Sequence, residues 1–303
     1  MAGQQHLLVA VAGPTAVGKT AVAIALAQHF HTEIISFDSR QCYREMNIGV
    51  ARPSDEELAA VPHHFIASHS IHDPVDAAQY EQWALKKLST LFQQYKVVIA
   101  VGGTGLYLKA LTDGLDAMPD IPANIREQIR EDYEANGMEW LQQTLQQEDP
   151  LFAASGEMQN PHRMLRALEV IRASGKSIKQ FQQRSSNARP FDTLIIGLEM
   201  ERPLLNQRIQ LRVEQMMQEG LLAEVKQLLP YEQLQALQTV GYQELFDAIH
   251  GRCSITEAAE LIATHTRQYA KRQMTWFKKN QAVQWFHPQQ LPDMISLIQS
   301  RLT

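Results

Sequence analysis

Gly13-Pro14-Thr15-Ala16-Val17-Gly18-Lys19-Thr20 matches the phosphate-binding loop G-x-x-x-x-G-K-[ST] at every defined position. Its flanks match as well. Leu7 to Ala12 (LLVAVA) is a short apolar run that predicts a buried strand, and Ala21 to Phe30 (AVAIALAQHF) is Ala-rich and predicts a helix. The loop therefore joins strand to helix, as the motif requires. There, successive backbone N–H groups and the helix N-terminus point at an anion, and glycine lets the backbone come close. Lys19 adds a point charge for the outer phosphate, and Thr20 offers a hydroxyl to a magnesium ion. A chance match arises in roughly one chain in a hundred of this length. A glycine turn ahead of a packing helix is thus the lesser alternative. The motif says diphosphate or triphosphate; it does not say ATPase.

Outward from the loop, Glu33 to Phe37 (EIISF) predicts a second strand, followed directly by Asp38-Ser39-Arg40-Gln41. Open parallel α/β sheets bind ligands beyond the carboxyl ends of their strands, which puts Asp38 beside the phosphate loop. Residues 42–72 read as irregular. Their histidines, His63, His64, His69 and His72, have no companion carboxylate or i, i+4 pair to complete a metal site. Asp73-Pro74 reads as a helix start, with the helix running to about Tyr95. Lys96 to Val101 predicts a third strand. Gly102-Gly103-Thr104-Gly105 then turns into a helix over 106–112, a second place where backbone can approach a ligand.

The pattern changes near Met118. From there to about Ser186 no strand is predicted, while Ile121 to Asn136, Met138 to Gln147 and Pro161 to Ala173 show helical spacing. The reading is an α/β, P-loop NTPase-like parallel-sheet core (1–117 and 187–303) with an all-helical insertion domain (118–186). Between His162 and Arg189 stand Arg163, Arg166, Arg172, Lys176, Lys179, Arg184 and Arg189 against one acid, Glu169. In a chain of net charge −5 this imbalance favours an anionic partner over a merely solvated helix face.

Thr193 to Leu198 predicts a return to the sheet, and Glu199 to Gln218 a helix closed by Gly220. Arg208 and Arg212, i and i+4, share one face of that helix. They suit stabilisation of phosphate charge, or equally surface pairing with Glu201 or Glu214. Ser254 to Lys279 predicts a long helix carrying Arg267, Lys271, Arg272, Lys278 and Lys279 interleaved with Tyr269, Trp276 and Phe277. Basic groups with aromatics suit a nucleic-acid backbone. A last strand (282–286) and helix (291–302) follow.

The 303 residues, 45% hydrophobic and 20% charged, suit a globular chain of one large or two moderate domains. Two cysteines, Cys42 and Cys253, give no zinc or disulfide framework and fit a reducing compartment. Met1 to His6 lacks the features of a signal peptide, and no apolar run reaches membrane-spanning length. A cytoplasmic enzyme is expected. The third strand ends Val101-Gly102-Gly103, without the acid that a nucleotide hydrolase uses to help hold magnesium. Asp38 is then either a metal ligand in phosphoryl transfer, or a general base for a nucleophile that attacks carbon with diphosphate leaving. A non-catalytic nucleotide switch is a third, weaker reading, since three strand ends carry polar groups into one crevice.

The chain resembles the bacterial tRNA dimethylallyltransferases. The resemblance rests on Gly13 to Thr20, Asp38-Ser39-Arg40-Gln41-Cys42-Tyr43-Arg44, Gly102 to Tyr107, and Gln159-Asn160-Pro161-His162-Arg163 with Arg166 to Glu169. Arg208-Ile209 with Arg212-Val213, Val240-Gly241-Tyr242, and Arg267 to Gln273 complete it, in the family's order. Val17 stands where the family often has Ser. Asn47, Val50 and Arg52 depart from its usual Asp-Ile-Gly-Thr-Ala-Lys-Pro, so no substrate contact is assigned to them.

The resemblance implies transfer of dimethylallyl from its diphosphate to N6 of the adenosine beside the anticodon. It implies that Gly13, Thr15, Ala16, Val17, Gly18, Lys19, Thr20 and Arg212 bind the diphosphate, with Mg2+ on Thr20. Asp38 would accept a proton from the amine, with Thr104 near the channel that takes the flipped base and Arg208 on the leaving diphosphate. Asp38, Ser39, Arg40, Gln41 and Thr104, together with Arg126, Gln159, Asn160, Pro161, His162 and Arg163, would touch tRNA, and the insertion would clasp the anticodon stem-loop. The loop also carries an ATP-binding signature, but no ATP turnover is expected. The partners are then tRNA and dimethylallyl diphosphate, with no membrane and a monomer as the default. The alternatives are prenylation of free adenine nucleotides, or a small-molecule kinase; neither needs the two basic segments.

Overall fold

In a computed structural model, residues 6–154, 157–182 and 187–302 are described. Arg184, counted above among the basic residues, lies outside them. The elements run β1 (Leu7–Ala12), α1 (Lys19–His29), β2 (Ile34–Ser36), α2 (Asp55–Ala60), β3 (His63–His64), α3 (Ala77–Leu91), β4 (Val97–Gly102) and α4 (Gly105–Thr112). Next come α5 (Ala123–Glu148), α6 (Pro150–Ala153), α7 (Pro161–Ser174) and α8 (Ile178–Phe181). The chain ends with β5 (Asp192–Leu198), α9 (Arg202–Glu219), α10 (Leu221–Leu228), α11 (Gln243–Ile249), α12 (Ile255–Phe277), β6 (Val283–Phe286) and α13 (Leu291–Ser300). They form two compact units: Asp113–Asn187, and the residues before and after it.

The larger unit is built on a six-stranded sheet, β3-β2-β4-β1-β5-β6, with every neighbouring pair parallel. Apolar composition dictates the centre. All six residues of β1 are buried, and so are all six of β4, because helices cover both faces of a parallel sheet. Leu26 of α1, Ile209 of α9 and Ile298 of α13 are fully buried in the core that contains Val9, Ile99 and Ile196. Each such side chain is worth roughly 1.5–3 kcal/mol of burial. The strand order places the ends of β2, β4 and β1 side by side, so the turns that follow them meet.

Two local expectations are corrected. The helix expected at Asp73-Pro74 starts at Asp76, whose carboxylate accepts the Ala78 and Gln79 N–H groups while Gln79 reaches back. Asp73 instead donates its N–H to the Ser70 carbonyl in a turn. The reciprocal cap holds two otherwise orphaned donors, which Asp73 cannot do from outside the helix. The supposedly irregular 42–72 stretch contains α2, opened by a Ser54–Glu57 capping box, and the two-residue edge strand β3. Its histidines find separate partners: His64 pairs with Glu33 at 2.5 Å, while His63 Nδ1 lies 2.8 Å from the Val61 carbonyl.

The smaller unit is helical and has its own core, including Ile129, Leu141, Leu145, Met164 and Leu168. The break expected between 136 and 138 is a kink inside α5, at Gly137 with φ 71°. That left-handed conformation suits glycine. Asn160 caps α7 as read, accepting the Arg163 N–H, with Pro161 in the first turn.

Candidate active site

Gly18 caps α1 with φ 106°, and Ala16 has φ 65°, so the chain curls its amides around the N-terminus of α1. The Val17 side chain is buried in the core, so this residue offers only backbone to a ligand. Lys19 folds back to donate to the Pro14 carbonyl at 2.8 Å. Desolvation in the crevice pulls its ammonium down to about 8; Asp38 opposes this shift and Arg212 adds to it.

Both arginines of α9 reach this loop. The Arg208 guanidinium lies 3.6 Å from where a Cβ on Gly18 would sit. Arg212 Nη1 is 3.3 Å from Thr15 Oγ1. Burial and the neighbouring Arg208 both lower the Arg212 pKa. Neither arginine has an ion-pair partner among the described residues, so the Glu201 and Glu214 alternatives are not realised. Two guanidiniums without ion-pair partners among the described residues and a desolvated ammonium at a helix N-terminus are suited to an anion.

Asp38 follows β2. Its Oδ1 accepts the N–H groups of Arg40 at 2.9 Å and Gln41 at 3.3 Å, which fixes the carboxylate. Oδ2 takes no hydrogen bond among the described residues. Thr104, after β4, accepts the Ser39 N–H at 3.1 Å and donates to Ser39 Oγ at 3.2 Å. Tyr269 of α12 lines the same crevice. Desolvation first, then Asp38, push its phenol up to about 12, although the residue as a whole is 37% exposed. The crevice has a volume of about 1410 Å³, and Lys19, Asp38, Arg208, Arg212 and Tyr269 all line it.

Other expected contacts are partly committed. Arg40 Nη1 donates to the Gln235 and Ala236 carbonyls at 3.1 and 3.0 Å. Gln41 Nε2 donates to the carbonyls of Val50 and Ala51. In the helical unit, the basic excess is smaller than the sequence window suggests. Arg163 and Lys179 both pair with Glu157, Arg172 with Glu148 and Asp132, and Arg166 and Arg126 with Glu169. Except for Glu169, these acids lie upstream of the window and come in by tertiary packing. Gln159, Asn160, His162 and Arg163 are exposed and Pro161 is half-buried, at the start of α7. Arg189 is not a surface residue: it pairs with Glu81 at 2.6 Å and caps the α4 carbonyls of Ala110 and Leu111.

Two residues have roles that were not read from the sequence. Gln273 joins two of the site's loops. Glu224 accepts the N–H groups of Asn47, Ile48 and Gly49 and the Tyr242 hydroxyl, holding one rim of the crevice. Gly49 sits so close to the Tyr242 ring that a Cβ would collide with it. Neither role has a local sequence signature.

No group of three or more His, Cys, Asp or Glu able to hold a metal occurs among the described residues. Oxygen donors lining the crevice include the Thr20 hydroxyl of the phosphate loop and the Asp38 carboxylate. Such oxygen donors fit magnesium, which keeps waters and binds mainly through substrate phosphates.

The anion site predicts a pH dependence. A bound anion favours protonated Lys19, so its affinity is flat below about 8. Above that it falls by up to about tenfold per pH unit as the free ammonium is lost. Calorimetric titration with inorganic diphosphate from pH 7 to 9.5 reads this. Lys19→Arg carries the ligand's own titration but not the lysine's, and its profile lacks the break. Coincident profiles would place the ammonium away from the anion.

Fold and site together define the class: an α/β protein with a phosphate-loop motif whose crevice is lined by Lys19, Arg208 and Arg212 together with the oriented carboxylate of Asp38. Residues 41–280 match the model of the IPP transferase family. Among relatives, a tRNA dimethylallyltransferase of Christiangramia forsetii is 43% identical over 93% of both chains, and one of Flavobacterium johnsoniae is 45% identical over 92% of both. A solved tRNA isopentenylpyrophosphate transferase of Bacillus halodurans superposes with TM-score 0.73 at 33% identity, covering 98% of this chain and 97% of that one. A eukaryotic dimethylallyltransferase acting on tRNA gives TM-score 0.73 at 27% identity, covering 90% and 70% respectively. The chain belongs to the IPP transferase family.

Proposed function

We propose that this protein is a cytoplasmic tRNA dimethylallyltransferase that prenylates N6 of the adenosine 3′ to the anticodon. The observation that carries the reading is the pairing, in one crevice, of the Lys19–Arg208–Arg212 anion site with the oriented carboxylate of Asp38. A kinase or hydrolase would need a further acid at the end of β4, where the chain has Gly102 and Gly103. Prenylation of free nucleotides would leave the exposed basic groups of α12, Lys271 and Arg272, unused.

In this reading the loop amides, Lys19 and Arg212 hold the diphosphate of dimethylallyl diphosphate. The amine nitrogen of adenosine attacks the allylic carbon, the carbon–oxygen bond breaks, and Arg208 balances the growing charge on the departing diphosphate. The attacking nitrogen sheds a proton to Asp38 Oδ2, the oxygen without a hydrogen-bond partner among the described residues. That amine is conjugated with its ring, so an aligned base matters at the moment of attack. The target base would leave its stack to reach the crevice. Magnesium, held by Thr20 and the diphosphate oxygens, would supply further neutralisation of phosphate charge.

The test mixes protein, magnesium, labelled dimethylallyl diphosphate and an unmodified anticodon stem-loop, with AMP and ATP as parallel acceptors. Label in the RNA, lost when the adenosine beside the anticodon is replaced, is the expected result. Label in AMP alone, or in no acceptor, would overturn the reading.

The helical unit is assigned to the anticodon stem-loop through α7. Arg163 and Arg166 make exposed or half-exposed ion pairs, which are worth little and can be exchanged for phosphate at small cost. Replacing both by Ala is expected to weaken tRNA binding and to lower the slope of log affinity against log salt by about one per lost contact. A filter-binding series from 50 to 200 mM salt reads the slope, and an unchanged slope would remove α7 from the RNA surface.

A further inference from the structure

We propose that Gln273 is a positioning residue that sets the spacing between the diphosphate site and the amine-activating site. The inference rests on the prenyl-transfer reading above. Gln273 lies on the inner face of α12 and is buried, with 6% of its surface exposed. Its amide is used at both ends. Oε1 accepts the Thr15 N–H of the phosphate loop at 2.8 Å, and Nε2 donates to the Gly103 carbonyl after β4 at 3.0 Å.

The approach is built in. A Cβ on Gly103 would collide with Gln273 Nε2, and one on Gly105 would collide with the Trp276 indole. Two glycine notches in one turn therefore seat α12 against the end of β4. Thr104, between those notches, bonds Ser39 through both the Ser39 N–H and hydroxyl. Ser39 follows Asp38 directly. One buried amide thus begins a continuous chain of contacts from Thr15, through Gly103 and Thr104, to the loop that carries Asp38. No other side chain among the described residues hydrogen-bonds both the 13–20 loop and the 102–105 turn.

Displacement at carbon makes that spacing matter. The allylic carbon is fixed by its diphosphate and the nitrogen by the acceptor side, and the two must lie within a near-attack distance. A misplacement of about 1 Å costs on the order of 10²-fold in rate. Gln273 touches no reacting atom; it fixes the frame on which both partners sit.

The experiment compares the full-length protein with Gln273→Met, which fills similar volume without either hydrogen bond, and Gln273→Glu, which keeps the acceptor for Thr15 but opposes the Gly103 carbonyl. Steady-state kinetics are run with labelled donor and stem-loop RNA, alongside inorganic diphosphate affinity and RNA affinity. Wild-type transfer into RNA tests the underlying reading separately. The expected result is a kcat about 30–100-fold lower in both variants, with diphosphate and RNA affinities near wild type. A merely structural role would lower affinities and kcat together. A kcat within twofold of wild type would overturn the proposal, and so would a rise confined to the KM for the donor. Should Gln273→Met not fold, Gln273→Asn, whose shorter side chain reaches only one loop at a time, carries the same expectations.

Discussion

Asp38→Asn is expected to lower kcat for prenyl transfer by roughly 10²–10⁴-fold, the range a positioned acid–base group supplies. The asparagine oxygen can still accept the Arg40 and Gln41 amides that Oδ1 holds now, so the turn after β2 survives. What is lost is the basic oxygen on the other side. RNA affinity, measured separately by filter binding, is expected to stay near wild type. Asp38→Ala removes both roles and is expected to be at least as slow. Loss of RNA binding in Asp38→Asn would make this carboxylate a binding group. Retention of kcat within tenfold would mean that the amine needs no carboxylate at all.

Lys19→Met is expected to lower kcat/KM for the donor by roughly 10²–10³-fold, comparable to removing one preorganised charge from a transition state. Two guanidiniums remain at the loop, so some diphosphate affinity persists. The variant separates ground state from transition state. If Lys19 acts mainly on the leaving diphosphate, kcat falls and inorganic diphosphate binds only moderately more weakly. If it acts equally before and during bond breaking, KM rises with little change in kcat. The methionine also relieves the desolvated charge that holds the wild-type ammonium at about 8, so this variant is expected to fold.

The centre of the fold was readable because its strands are buried on both faces: β1 is apolar at every position, and the loop that follows is specified by glycine and lysine together. Asp38 was readable from its place after β2. Arg208 and Arg212 were readable as a shared helix face, but only packing decided that they meet Gly18 and Thr15 rather than nearby acids. The edge strand β3 is too short to show a period. The Asp76–Gln79 cap has a local pattern, yet the aspartate–proline pair just before it gives a competing signal. The charge balance of the insertion was only partly readable, because linear windows do not count acids that arrive by folding, such as Glu157 and Glu148. Gln273 entered only as the end of the Arg267 to Gln273 stretch, with no role of its own. Its role depends on two glycines some 170 residues earlier, which no periodicity reports.

The hydrogen bond between Thr15 and Gln273 spans 258 residues of chain. During synthesis at ~5–20 residues per second, roughly 13–50 s separate the emergence of its two ends. The strand, loop and helix around Thr15 exist as local sequence well before Gln273 does. The amide that locks them to the turn after β4 follows only when α12 has been made. A nascent chain can therefore carry a phosphate-binding turn long before it can carry out a transfer. Truncation anywhere before α12 would leave the anion loop and the carboxylate present but unregistered. Until α12 emerges, the two loops lack the side chain that joins them.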